Sequence, residues 1–178
     1  MQVTFYILIA FIIAYGVTAP ELALSRDTML TAVLIAAAIM VPSQFYFSGL
    51  SDRVGRKQIY RWGAILTGLW GFALFPLINT GEPLMIVIAV TLGLTFLGMQ
   101  YGPQAAYFTE LFTTEGRYSG ASLGYQIGAI LGGALAPTIA VLLWNELGIF
   151  YVSVYILVAA ILTLLSLSAL EETKGRTL

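Results

Sequence analysis

The placement of charge along this chain leaves little freedom of fold. Its 17 charged residues bound six long uncharged stretches: 1–20, 28–51, 62–81, 83–109, 118–145 and 147–170. These hold 20, 24, 20, 27, 28 and 24 residues, or 143 of the 178. A helix crosses the hydrocarbon of a bilayer in about 20 mainly apolar residues, and every stretch reaches that length. Soluble helices are shorter and set an apolar face against a charged one, while membrane β-barrels show alternating segments of about ten residues. The expected fold class is an all-α membrane protein: a six-transmembrane-helix bundle spanning 1–178 as one domain. Its helices are expected near 1–19, 28–50, 59–80, 83–112, 117–144 and 147–170.

The first stretch begins at Met1, as a secretory signal peptide would, and Val17-Thr18-Ala19 faintly resembles a cleavage site. It has no positively charged start, and Pro20 would follow the cut, so it reads as a membrane helix. A net charge of −1 and the lack of a long basic run point away from nucleic acid as a partner. Without Cys or His there is no disulfide, no thiolate chemistry, no common zinc site and no Ser-His-Asp triad. No cofactor or metal is expected, and no enzyme, since no candidate nucleophile has a base nearby.

Orientation follows from the Lys and Arg residues, because short cytoplasmic loops retain positive charge. Arg53, Arg56, Lys57, Arg61, Arg117, Lys174 and Arg176 fall on one side of a six-span chain and Arg26 alone on the other. Both termini are therefore expected in the cytoplasm, in a multi-pass protein of the plasma (inner) membrane. Four prolines lie inside the stretches, Pro42, Pro76, Pro103 and Pro137; each removes a backbone hydrogen bond, so kinks are expected there. Gly120, Gly124, Gly128 and Gly132, continued by Ala136 and Ala140, make a small-residue stripe at four-residue spacing. Such a stripe serves close helix packing or a sliding surface.

No stretch carries a charge near its middle, so this chain alone supplies no buried carboxylate for a proton and no buried cation for an anion. Neutral polar groups do occur at depth: Gln44, Gln100, Tyr101, Gln104, Tyr125 and Gln126. Each can hydrogen-bond a neighbouring helix. As a group around Gly102-Pro103 they are also the substrate-pathway candidates.

Between the second and third stretches runs Gly49-Leu50-Ser51-Asp52-Arg53-Val54-Gly55-Arg56-Lys57: a carboxylate, an Arg, a turn-permitting Gly and two cations within six residues. This Asp-Arg-x-Gly-Arg-Lys order resembles the loop signature of the major facilitator superfamily, with Ser48 where that signature begins with Gly. The framework Tyr101-Gly102-Pro103-Gln104-Ala105-Ala106, Glu110-Leu111-Phe112 and Arg117-Tyr118-Ser119-Gly120 is similar to the tenth and eleventh helices of that family, in wording closest to its metabolite:proton symporters. Glu172-Thr173-Lys174-Gly175 resembles the tail after the twelfth helix, with Glu171 where the family has Pro.

The resemblance covers nearly the whole chain in order. It implies the carboxy-terminal half, helices seven to twelve, of a transporter built as a 3+3 inverted repeat. It further implies alternating access for a small molecule, an organic acid or zwitterion, coupled to protons. Asp52, Arg53, Gly55, Arg56, Lys57, Glu110 and Arg117 would then form a cytoplasmic gate, closed by hydrogen-bonded ion pairs in one state and open in the other. The partners expected are the lipid bilayer and either a separate amino-terminal six-helix half or a second copy in a parallel homodimer. A transport-inactive fragment is the remaining alternative.

Overall fold

A computed structural model of the chain describes residues 1–112 and 116–173. Lys174, Gly175 and Arg176 lie outside the described residues, and Arg117 is described through its backbone only. The described residues form helices and connections with no strand. α1 is Gln2–Thr18, α2 Arg26–Val54, α3 Arg56–Ile78, α4 Pro83–Glu110 and α6 Ile149–Ala169. α5 runs in three pieces: Arg117–Ala129, a π-turn at Ile130–Ala134, and Ala136–Leu147. Five of these helices are long and apolar enough to cross a membrane. α1 has a π-turn of its own at Ile7–Phe11, and its 17 residues are at the short end of the spanning range.

Helix ends follow backbone chemistry more closely than charge. Ser25 caps α2 by accepting the Thr28 N–H at 3.0 Å, with Asp27 in the first turn to complement the helix dipole. Pro83 opens α4, where its missing N–H has no helical partner to lose. The connection expected between helices at 28–50 and 59–80 is not there: α2 continues through Asp52 and Arg53, and α3 starts at Arg56. One residue separates them, Gly55, at φ +130°, a conformation that side-chain-bearing residues rarely adopt. Likewise α5 passes through Glu146 and stops at Gly148, φ +97°. Charged residues beyond the apolar slab remain helical, and glycine ends the helix.

Of the four prolines, three lie in helices that run unbroken through them, Pro42 in α2, Pro76 in α3 and Pro103 in α4. α5 does break, at the π-turn and Leu135 just ahead of Pro137. There the proline withholds the N–H that Gly133 would accept, and the preceding Gly132-Gly133 pair offers least resistance.

α4 lies between α2 and α3, and α6 lies along α3. Interhelical hydrogen bonds join them: Trp70 Nε1 donates to Ala89 O at 2.9 Å, and Ser153 Oγ to Gly71 O at 2.7 Å. One end of the core is aromatic. Phe11 and Tyr15 of α1 pack edge-on against Phe75 of α3 and Trp144 of α5, with ring centres 5.0–6.2 Å apart. The Tyr15 hydroxyl donates to Asn79 Oδ1 at 2.8 Å.

Close helix contact occurs at other glycines than the stripe picked out in the sequence. A Cβ on Gly102 of α4 would stand 2.7 Å from the Gln44 carbonyl oxygen of α2, and one on Gly98 would stand 2.7 Å from Ser43 Oγ. In the stripe, Gly132 sits near Gln2 and Val3 of α1, and Gly120 lies against the Phe112 ring, but Gly124 and Gly128 have nothing within 4 Å of a built Cβ. Their side of α5 faces a cavity rather than a packed neighbour, and no described side chain of Arg117–Ala129 is buried.

Candidate functional site

Two sets of polar residues lie apart in the bundle. The first is at the end opposite the aromatic cluster, where the end of α2, the start of α3, the end of α4 and the residues after α6 converge. Arg56 is its centre. Its guanidinium forms an ion pair with Asp52, one turn back across the Gly55 corner, and donates from Nη1 to Ser51 Oγ at 3.1 Å. From Nη2 and Nε it donates to Glu110 Oε1 at 3.1 and 3.3 Å. The Arg56 and Glu110 side chains are only 16% and 13% exposed, against 58% for Asp52. The Arg56–Glu110 pair is therefore the one shielded from water.

The tail completes this network. Glu172 accepts the backbone N–H of Arg56 at 2.9 Å and of Lys57 at 3.2 Å, so its carboxylate satisfies orphan donors at the N-terminus of α3. Thr173 Oγ1 donates to Glu110, Lys57 Nζ donates to Leu170 O, and Tyr107 OH donates to Glu171 O at 3.0 Å. Gly55 is needed here twice, since a Cβ would also lie 2.7 Å from Glu172 Oε2. Arg53 leaves α2 at the same end, and the Arg117 side chain lies outside the described residues.

Reasoning from the sequence missed the parts played by Ser51, Glu172 and Thr173. The available signal was span parity, which puts an acidic tail beside an α3 terminus that has no Ser, Thr, Asp or Asn to cap it. Glu172→Ala is expected to destabilise the chain by about 1 kcal/mol, the usual worth of a lost cap. Hydrogen exchange of the Arg56 and Lys57 amides should rise in that variant while exchange in α6 is unchanged.

The second set lines adjoining cavities, two among α1, α2, α4 and α5 and a third that reaches across to α6. Gln44, Tyr101, Tyr125 and Gln126 border one of about 460 Å³ together with Gln2 and Tyr6. Tyr101, Gln104, Tyr125 and Gln126 border a second of about 390 Å³, and Gln104, Tyr125, Gly124 and Gly128 border a third of about 380 Å³. Volumes of this order suit small molecules, and no described Asp, Glu, Lys or Arg side chain lines any of the three.

Five of the six candidates are thus brought together. Gln100 is not: it is buried and donates from Nε2 to Thr67 Oγ1 of α3 at 3.1 Å, a bond between helices. Gln2 and Tyr6 were missed, although four-residue spacing sets them on one face of α1. Gln2 Oε1 accepts the Tyr101 hydroxyl at 3.2 Å.

A bundle of apolar helices with its charges at the helix ends, most of them at one side, and neutral polar groups around an open cavity defines a polytopic integral membrane protein of helical type. The chain belongs to the Major Facilitator Superfamily, whose family model matches residues 1–177. Its curated relatives are named as transporters, not enzymes. A putative metabolite transport protein of Haemophilus influenzae is 35% identical over 180 residues, covering 96% of this chain and 41% of that protein. The inner membrane metabolite transport protein YhjE of Escherichia coli is 35% identical over 183 residues, covering 98% and 40%. The proline/betaine transporter of Escherichia coli is 28% identical over 181 residues, covering 99% and 35%. The chain thus spans about two fifths of the length of the curated relatives it matches. No solved structure matches it significantly.

Proposed function

We propose that this chain is the carboxy-terminal half of a secondary transporter that moves a small metabolite, an organic acid or zwitterion, by proton-coupled alternating access. The observation that carries this reading is the open, uncharged polar surface formed by Gln44, Gln104, Tyr101, Tyr125 and Gln126. The first half of α5 buries no described side chain against its own bundle, which leaves that surface available to a second six-helix unit. A charged substrate and a coupled proton then require ionisable groups contributed by that unit. The names of the relatives, metabolite and proline/betaine transporters, fit a substrate of this class. In this reading both termini face the cytoplasm, and the Asp52–Arg56–Glu110 network holds the cytoplasmic end closed in one state of the cycle.

Uptake by proteoliposomes tests the reading, with the chain reconstituted alone and together with a six-helix amino-terminal half, against a panel of radiolabelled organic acids and zwitterions with and without a pH gradient. Uptake is expected only with both halves. Uptake by the chain alone would favour the parallel homodimer instead, and no uptake in either arrangement would leave the inactive fragment. Gln104→Ala and Gln126→Ala are each expected to cut uptake about tenfold at unchanged expression, the effect of removing one or two hydrogen bonds made to substrate. Gln100→Ala is expected to transport normally. Equal uptake by all three variants would remove the cavity from the pathway.

A further inference from the structure

At the charged end, α3 presents a second group of side chains on its outward face. Lys57, Gln58, Arg61, Trp62 and Ile65 line a depression of about 420 Å³, with Glu172 at its edge. Lys57 and Arg61 stand one helical turn apart on the same face. The Glu172 carboxylate is already engaged by the backbone N–H groups of Arg56, Lys57 and Thr173. Lys57 gives one of its three donors to Leu170 O. Arg61 is exposed, with no hydrogen bond or ion pair among the described residues. Below it the same face turns apolar: the Trp62 ring is 52% exposed and Leu69, two turns on, is 61% exposed.

We propose that this depression binds the headgroup of an anionic phospholipid, with Arg61 and Lys57 on the phosphoryl oxygens and an acyl chain lying along Trp62, Ile65 and Leu69. Two cations face one engaged carboxylate, so the depression favours an anion. The planar guanidinium pairs with phosphate through two parallel hydrogen bonds. Exposed Trp beside Arg and Lys at the end of an apolar helix marks the level of the headgroups, where basic pockets recruit acidic lipid. A phosphatidylcholine brings its own cation toward Lys57 and Arg61, and a free phosphate makes no use of the apolar strip.

Native mass spectrometry of the full chain in mild detergent, titrated with dioleoyl phosphatidylglycerol or dioleoyl phosphatidylcholine, tests the proposal. Phosphatidylglycerol is expected to be retained in preference, and Arg61→Gln to weaken it about fivefold, the effect of one interfacial cation. Arg61→Lys should fall between the two, keeping the charge but losing the paired hydrogen bonds. Equal retention of phosphatidylglycerol by the wild type and Arg61→Gln overturns the proposal. Displacement of phosphatidylglycerol by inorganic phosphate also overturns it, in favour of a free-anion site. Should Arg61→Gln fail to fold, Gln58→Glu, which sets a carboxylate in the same depression, is expected to weaken retention similarly; unchanged retention there is equally fatal.

Discussion

Replacing Gly102 with valine will force α2 and α4 apart. A Cβ at this position stands 2.7 Å from the Gln44 carbonyl oxygen and 2.9 Å from the Ser48 nitrogen, both main-chain atoms of the facing helix. Backbone cannot move aside as a flexible side chain can, so the strain must open the interface itself. Overpacking of this kind costs about 3 kcal/mol, at the upper end of the usual range. The loss should appear as a lower yield of monodisperse protein and an earlier thermal transition in detergent. Gly124→Ala and Gly128→Ala are the controls, since a Cβ at either meets nothing within 4 Å. If those variants unfold as readily as Gly102→Val, the close α2–α4 contact is not what sets stability.

Removing Arg56 is expected to have an effect of comparable size for a different reason. Glu110, 13% exposed, would lose its principal counter-ion and retain, among the described residues, the Thr173 hydroxyl. Breaking a shielded pair by deleting one partner costs about 3 kcal/mol. Arg56→Gln should therefore be strongly destabilised, and Arg56→Gln/Glu110→Gln less so than the sum of the two single variants, as a double-mutant cycle would measure. Asp52→Asn should cost under about 1 kcal/mol, because the Asp52 side chain is 58% exposed and its pairing is screened by water. Additive effects at Arg56 and Glu110 would show that the two residues act independently.

Much of the fold was legible because it is written in charge and glycine. A membrane interior tolerates few of the 17 charges, so their positions give the number of helices and which helix ends share a side. The same reasoning put Asp52, Arg56 and Glu110 at one end. The tail contacts were legible only in part: span parity brings the tail to this end, but not which of its residues meets the Arg56 and Lys57 amides more than a hundred positions away. The glycines show a different limit. Spacing reveals that Gly120 to Gly132 form a stripe, but whether a stripe is covered depends on where neighbouring helices lie, and the covering falls at Gly98 and Gly102 instead. Gln100 and Gln104 make the same point: they are one turn apart on α4, yet one bonds to Thr67 and the other borders a cavity.

The single residue between α2 and α3 has a mechanical consequence. Only the two torsions of Gly55 lie between helices of 29 and 23 residues. A rotation of about 10° there swings the far end of α2, about 43 Å away, by roughly 7 Å. Glu172, held against the first amides of α3, sits at that pivot. The tail thus bears directly on the one joint between these two helices.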